Sequence, residues 1–475
     1  MPLDAALEAR LRAAGQGHLA EAVRAADPAD AAGLLAQVEE LDLELLRRLV
    51  DELVLAEPEA HDLGHIGPPE TVPLPTDELG AARDAEAAAE GEAALREGRV
   101  AVVLLAGGQG TRLGFDGPKG DYPFGAVTGR TLFAHHAAKI AAVRARYGAA
   151  LPWYVLTSPV NDADTRASFA ASDWFGLDPA SVRFVVQGTL PAVDRATGRV
   201  LLEAPGRLAL SPDGHGGLLS ALRRTGALDE MAGEGITTFF TFQVDNPLIR
   251  VADPVFLGHH LAAGADMSNL AVRKREPLEP VGVIAGIDGG TGVIEYSDLP
   301  DELAHARDDD GQLVLWAGNI ATHCIEVAFA WELTEGGLRL PFHRAVKKVP
   351  YVTADGAEVR PDEPNAVKFE TFIFDALPFA GASVTVEASR EEQFSPIKNA
   401  SGADSPESCR RDCNRLWAGW LEAAGVRVPR DTSGEPVDIE IDPRFALDPA
   451  ELAARVGPDL VIDGPTALGP APAGA

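Results

Sequence analysis

Residues Leu105 to Gly120 read LAGGQGTRLGFDGPKG, a run suited to holding a phosphate chain. Its glycines let the backbone approach an anion and expose N–H donors. Arg112 and Lys119 add positive charge on the same loop, and both side-chain types contact phosphate. The spacing is not that of G-x-x-x-x-G-K-[ST]. Gly108, Gly110 and Gly114 give G-x-G-x-x-x-G, one residue longer than the dinucleotide fingerprint, which counts against a nicotinamide-dependent oxidoreductase. A second chemical signal is Asp245, at the end of the β-prone run Thr237–Val244. A carboxylate at the end of a strand suits Mg²⁺, which binds phosphates together with one or two carboxylates. The bland alternative is an Asp-Asn turn that holds its own backbone.

These residues need a scaffold. Val100–Leu105 is a short, continuous apolar strand that runs straight into the glycine loop. Further strands are expected at Trp153–Thr157, Phe184–Gln187, Thr237–Val244 and Met267–Val272. Helices are expected between the early ones, at Leu132–Tyr147 and Gly217–Leu228. Buried strands alternating with helices imply an α/β fold with a mixed, mostly parallel sheet. Ligands then sit at the carboxyl ends of the strands, where the glycine loop, Gln187-Gly188 and Asp245-Asn246 all fall.

Upstream, residues 1–55 carry helical periodicity, residues 56–78 read as a Pro-rich extended connector, and Ala81–Glu97 reads as a helix. Val384–Glu387 and Val437–Ile441 suggest β structure in the last third, and GPAPAGA at the end is expected to fray. The expected organisation is an N-terminal helical region (1–97), a central domain (98–400) and a small C-terminal domain (401–475).

The chain has 475 residues and a formal net charge of −31. Such acidity argues against general attraction to nucleic acid or anionic membrane, so any phosphate site is a local island of basic groups. Three cysteines, Cys324, Cys409 and Cys413, do not make a disulfide framework. Cys409 and Cys413 are spaced i, i+4, but no further metal ligand lies near them in sequence. The N-terminal stretch lacks the apolar core of a signal peptide, and no apolar run approaches the ~18 residues of a membrane span. The expected compartment is the cytoplasm; monomer and homo-oligomer both remain open.

The glycine loop with its following PKG resembles the signature of the UDP-N-acetylhexosamine pyrophosphorylases, within the broader UDP-sugar pyrophosphorylase family. Further motifs match in order: Gln187-Gly188, PDGHGG at 212–217, QVDN at 243–246, EPVGV at 279–283, VIEYS at 293–297 and AGNI at 317–320. KKVPY at 347–351, NAVKFE at 365–370 and REEQFSPIKN at 390–399 continue the series. Together they cover about residues 90–460.

The resemblance implies a Rossmann-like nucleotidyltransferase (GT-A-like) central domain. It implies UTP and a hexose or hexosamine 1-phosphate as substrates, Mg²⁺ as cofactor, and UDP-sugar and pyrophosphate as products. It places Arg112 and Lys119 around the β- and γ-phosphates, Lys368 near the α-phosphate and Lys398 as a second phosphate-side lysine. Asp245 becomes the metal ligand. Gly107, Gly108, Gln187 and Gly214 match positions that hold the uracil and ribose. Gly282, Glu295, Tyr296 and Asn319 match the sugar pocket, with Phe372 and Phe374 in the same region. For Tyr296 and both phenylalanines packing is the alternative, and for Asn319 a turn.

Two departures concern the sugar half. The N-acetylhexosamine enzymes usually carry Asn where this chain has His215, and a G-H-G version resembles UDP-glucose and broad UDP-sugar enzymes. Asp121–Phe124 also differs from the usual Y-D-V-G stretch. N-acetylglucosamine 1-phosphate is the first expectation and glucose 1-phosphate the second. A non-catalytic nucleotide-sugar sensor would be expected to lose its basic residues, and Arg112, Lys119, Lys368 and Lys398 are all present.

Overall fold

The computed structural model describes residues 3–56, 64–353, 356–457 and 459–470. The chain divides into two compact units, each drawn from three stretches. The smaller contains Met1–Asp62, Gln187–Ser220 and Leu338–Asp375, and the larger contains Leu63–Val186, Ala221–Gly337 and Ala376–Ala475.

In the smaller unit four helices open the chain: α1 (Ala5–Ala13), α2 (Gly17–Ala25), α3 (Pro28–Glu40) and α4 (Leu43–Val50). Asp4, Asp27 and Asp42 cap α1, α3 and α4 by accepting from first-turn amides, which leaves fewer orphan donors. The apolar stripes of these helices, including Leu11, Leu19, Leu34, Val38 and Leu46, share one core with Val193, Val200, Leu202, Val367 and Phe369. Two buried or half-buried glutamines tie helices to strands. Gln16 donates to Gly198 O (2.9 Å) and accepts from Val200 N (2.9 Å). Gln37 donates to Gly206 O (3.1 Å) and accepts from Leu208 N (3.0 Å). The helices and these strands are far apart in sequence yet make a single core. The compact units therefore do not follow the order of the chain, unlike the boundaries 1–97, 98–400 and 401–475 expected from it. A three-stranded antiparallel sheet, with Ala366–Glu370 between Val193–Asp194 and His343–Lys347, carries Lys368 opposite Ala345.

The larger unit is built on a twisted sheet. Its main path uses β1 (Thr71–Val72), β2 (Val100–Leu105), β3 (Trp153–Thr157), β4 (Val182–Val186), β5 (Thr238–Gln243), β6 (Met267–Arg273), β7 (Ala317–Glu326) and β8 (Ser383–Glu387). The order is β1-β8-β6-β7-β5-β2-β3-β4, parallel throughout except that β7 runs against both its neighbours. β2 is buried at every position, which is why it reads as an unbroken apolar run. β2, β3 and β4 succeed one another outward, while the next strand, β5, lies on the other side of β2. The order thus reverses between β2 and β5, the switch point at which open α/β sheets bind ligands.

Helices cover this sheet. α5 (Glu78–Arg96) crosses α7 (Pro254–Ala262) with their backbones nearly touching. A Cβ at Gly258 would lie 1.7 Å from Ala87 O, and one at Gly91 2.0 Å from Pro254 O, so both positions demand glycine. α6 (Leu132–Tyr147) and α8 (Pro406–Ala423) bury Phe133, Ile140, Cys409, Cys413 and Leu421 in the core shared with the sheet. α5 and the C-terminal α8 thus both belong to the larger unit.

Strands β2 and β3 and helix α6 fall where the pattern puts them. The third strand ends at Val186, so Gln187 follows it. The stretch 217–228 is not one helix. It breaks at Gly226, which has φ +76°, into helices Gly217–Arg224 and Ala227–Gly233. Part of the expected connector joins the larger sheet as Ile66–Gly67 and β1, while residues 57–63 lie outside those described. Of the terminal GPAPAGA, residues 471–475 also lie outside them. No described helix is long and apolar enough to cross a membrane.

Candidate active site

At the end of β2 the glycine loop is held from behind. Asn161 donates to Ala106 O (2.8 Å) and Gly108 O (3.3 Å), and Ser158 donates to Gly107 O (2.9 Å). Both residues come from the loop after β3. A Gln109–Pro118 bridge closes the loop on itself through Gly110 N to Gly117 O (2.9 Å) and Lys119 N to Gly108 O (3.1 Å). The carbonyls are thereby satisfied, whereas the amides of Gly107 and Gly108 have no acceptor among the described residues. Such donors bind anions. Gly108 has open space beside its Cα. Arg112 is exposed on a short 3₁₀ turn, with no carboxylate partner among the described residues.

Across the switch point, Lys119 Nζ stands 2.8 Å from Asp245 Oδ2, with 16% and 11% of the side chains exposed. Burial alone would raise the Asp245 pKa. The charges of Lys119 and Lys398 and the Lys119 hydrogen bond outweigh it, so the carboxyl lies below its ordinary value. Asn246 sets the neighbouring segment: its Nδ2 donates to Gln393 O (2.7 Å) and its Oδ1 accepts from Ser395 N (3.1 Å). Asp245 O accepts from Ile397 N (2.9 Å), one residue before Lys398. Gly107, Gly108, Arg112, Lys119, Asp245 and Lys398 therefore belong to the same unit, and Asp245 feels the charges of both Lys119 and Lys398.

The expected sugar residues of this unit are only partly gathered. Asn319 N donates to Gly282 O (2.8 Å), and a Cβ on Gly282 would meet Glu295 Oε1 at 3.4 Å, so these three form one cluster. Asn319 Oδ1 accepts from Ala321 N (2.9 Å), where Ala321 has φ +52°, so the turn expected as an alternative exists. Tyr296 is 54% exposed and lines a separate cavity of about 140 Å³ with Lys274 and Glu279.

The remaining residues, Gln187, Gly214, His215, Lys368, Phe372 and Phe374, lie in the smaller unit. Gln187 Nε2 donates to Asp213 Oδ1 (3.2 Å) and Gly214 O (3.2 Å). Gly214, at φ +85°, lies against Thr371: a Cβ there would come within 2.3 Å of Thr371 O. His215 Nδ1 accepts from Ile373 N (3.1 Å), which puts the proton of the neutral ring on Nε2. Burial, then the neighbouring His343, lowers its pKa to about 4. His215 packs on Phe372 (ring centroids 5.3 Å) and Phe374 (5.5 Å), and Phe372 stacks on His343 (4.6 Å). His343 Nε2 is 2.7 Å from Asp375 Oδ2. Both phenylalanines thus combine the packing reading with a place beside His215.

A family model described as UTP–glucose-1-phosphate uridylyltransferase matches residues 59–407. The chain belongs to that family. It is a nucleotidyltransferase, and the family's substrates are UTP and a sugar 1-phosphate. The chain is 40% identical over 440 residues to UDP-N-acetylhexosamine pyrophosphorylase-like protein 1 of Homo sapiens, covering 89% of this chain and 86% of that one. It is 40% identical over 344 residues to the UDP-N-acetylglucosamine pyrophosphorylase of Saccharomyces cerevisiae, covering 70% and 72%. Among solved structures, the uridine diphosphate N-acetylglucosamine pyrophosphorylase of Trypanosoma brucei aligns with TM-score 0.79 and 28% identity over 95% of each chain.

Within this uridylyltransferase fold, Asp245 suits Mg²⁺. In nucleotide sites that ion takes one or two carboxylates and completes its shell from phosphates and water. Oδ2 faces Lys119, and Oδ1 makes no side-chain ion pair among the described residues. Cys409 and Cys413 form no metal cluster among the described residues; burial pushes the Cys409 thiol well up, and both pack in the core. Ser158 and Asn161 escaped sequence reasoning, although both follow a recognised strand, and Asn246 is placed by the sequence but not its bonds to Gln393 and Ser395. His343 and Asp375 lie 32 residues apart and carried no shared signal.

Proposed function

We propose that the protein transfers the uridylyl group of UTP to N-acetylglucosamine 1-phosphate, releasing pyrophosphate. The observation that carries this reading is the pair of unpartnered loop amides at the β2/β5 switch point, beside the Lys119–Asp245 pair. The relatives named UDP-N-acetylglucosamine pyrophosphorylase support the choice of sugar.

The nucleophile is already anionic near neutral pH, because the second pKa of a phosphate monoester is ~6. One of its oxygens forms a bond to the α-phosphorus of UTP as the bond to the bridging oxygen breaks, and pyrophosphate leaves with that electron pair. No general base is required, so catalysis consists of positioning and charge neutralisation. Arg112 and Lys119 hold the β- and γ-phosphates, the Gly107 and Gly108 amides hold the uracil and ribose, Lys368 stabilises charge near the α-phosphate, and Lys398 is a second phosphate-side lysine. Gln187 and Gly214 hold the uridine. The family resemblance assigns Gly282, Glu295, Tyr296 and Asn319 to the sugar, and likewise His215, Phe372 and Phe374. Asp245 would hold Mg²⁺, which when bound neutralises phosphate charge. We place the enzyme in the cytoplasm, in keeping with its acidic chain and three buried free cysteines.

His215 favours a second reading, glucose 1-phosphate, since a histidine replaces the usual asparagine. The test is pyrophosphate release from UTP and Mg²⁺ with the 1-phosphates of N-acetylglucosamine, N-acetylgalactosamine, glucose and galactose. Highest kcat/KM with N-acetylglucosamine supports the first reading, and highest with glucose replaces it by the second. No turnover with any sugar sinks both.

A further inference from the structure

On the α6–α8 side of the larger unit lies a cavity of about 280 Å³, walled largely by apolar groups such as Val143, Leu248, Trp417 and Trp420. Ligand pockets start near this size, at ~300 Å³. Into its wall α6 brings Lys139, only 9% exposed. An ammonium has three donors. Two go to the carbonyls of Pro247 and Ile249, which leaves one N–H unused among the described residues.

The two arginines of the wall and Glu92 are already paired. Arg146 pairs with Asp448 (2.7 Å), Arg250 with Glu392, and Glu92 with Arg96 (2.7 Å). Asp253 caps α7 through Val255 N (3.0 Å). Lys139 alone has no carboxylate in ion-pair reach among the described residues. Burial accordingly lowers its pKa to about 7. A buried cation without a counter-charge is costly, and a ligand anion would relieve that cost.

The cavity also adjoins the chain segment that carries Asp245. His136 Nε2 bonds Val244 O (3.0 Å) and His135 Nε2 bonds Pro247 O (3.1 Å), while Lys139 bonds Pro247 and Ile249. Helix α6 therefore grips both sides of Asp245 and Asn246.

We propose that this cavity is a regulatory site for a small organic carboxylate with an apolar body, which pairs with Lys139 and acts on the Asp245 segment. The apolar body lies against Trp417, Trp420 and Leu248. The carboxylate competes with the Pro247 and Ile249 carbonyls for the ammonium, and the change passes to Asp245 two residues away.

The test is calorimetric titration of the full chain with 4-phenylbutyrate, indole-3-propionate and octanoate, each beside its primary amide. At least one acid is expected to bind saturably at one site, with its amide at least tenfold weaker. Lys139→Met, if folded by circular dichroism, is expected to weaken the acid tenfold or more. Saturating acid should change the rate of pyrophosphate release at least threefold. The site is overturned if no acid binds saturably, if the amides bind as tightly as the acids, or if folded Lys139→Met binds as the parent does. The acid–amide contrast decides the matter should the variant fail to fold. Binding with unchanged turnover overturns the regulatory role.

Discussion

Lys119 Nζ and Asp245 Oδ2 lie 2.8 Å apart, joining the loop after β2 to the end of β5 across the point where strand order reverses. Each partner would be costly to bury alone. Lys119→Met should therefore leave Asp245 with burial less opposed and raise its pKa. Breaking a buried pair from one side costs roughly 3–5 kcal/mol; with both side chains slightly open, about 2 kcal/mol is expected in urea unfolding. Lys119→Met/Asp245→Asn should recover part of that stability while turnover stays low. If the double variant is no more stable than Lys119→Met, the pair is not what stabilises this corner.

Lys368 occupies the middle strand of the three-stranded sheet, with no carboxylate partner among the described residues. A lysine that neutralises charge only as the transition state forms should affect kcat far more than substrate binding. Lys368→Ala is expected to lower kcat by about 10²–10³, with the dissociation constant for UTP changed less than threefold. Equal losses in kcat and UTP affinity would make it a ground-state binding residue instead.

What sequence alone could read depended on how local the cause is. β2 is buried along its whole length and α6 keeps a regular period, so their limits follow from residue type. The break at Gly226 was missed because Thr225 and Gly226 interrupt a run that is otherwise apolar at helical spacing. The two units were illegible because Leu34 and Val38 share a core with Val193 and Phe369, and no periodicity reports such a distance in sequence. The glycine loop, Lys119 and Asp245 could be named beforehand because their types suit phosphate and metal. Asn161 could not, because it acts by holding carbonyls of the loop rather than a ligand.

His215 offers Nε2–H while Nδ1 accepts from Ile373 N. An asparagine carbonyl can accept the same bond, so His215→Asn should fold and keep its KM for UTP. We expect the kcat/KM ratio of N-acetylglucosamine 1-phosphate over glucose 1-phosphate to rise about tenfold, the scale of one pocket contact. With a pKa of about 4, His215 stays neutral above pH 5. The variant should then leave the pH–rate profile between pH 5.5 and 8 unchanged. A shifted acid limb would show that His215 titrates during turnover.

Three buried histidines set a pattern of acid sensitivity. Burial holds His135 well below the ordinary value, His136 at about 3 and His215 at about 4. Unfolded, each would titrate near 6.5. Between pH 6.5 and 4 the unfolded chain thus binds protons that the folded chain does not, so stability must fall as pH falls through that window. Above about pH 7.5 these groups contribute no slope. Asp121 and Asp253, whose pKa values burial raises, act in the opposite sense at the acid end, so a variant is needed to isolate the histidines. His136→Gln keeps a donor for Val244 O and removes one such proton. Urea unfolding at pH 7.5, 6.5, 5.5 and 4.5 should show a shallower loss for this variant, by up to about 1.4 kcal/mol per pH unit. Parallel curves for parent and variant would mean that His136 is protonated in the fold.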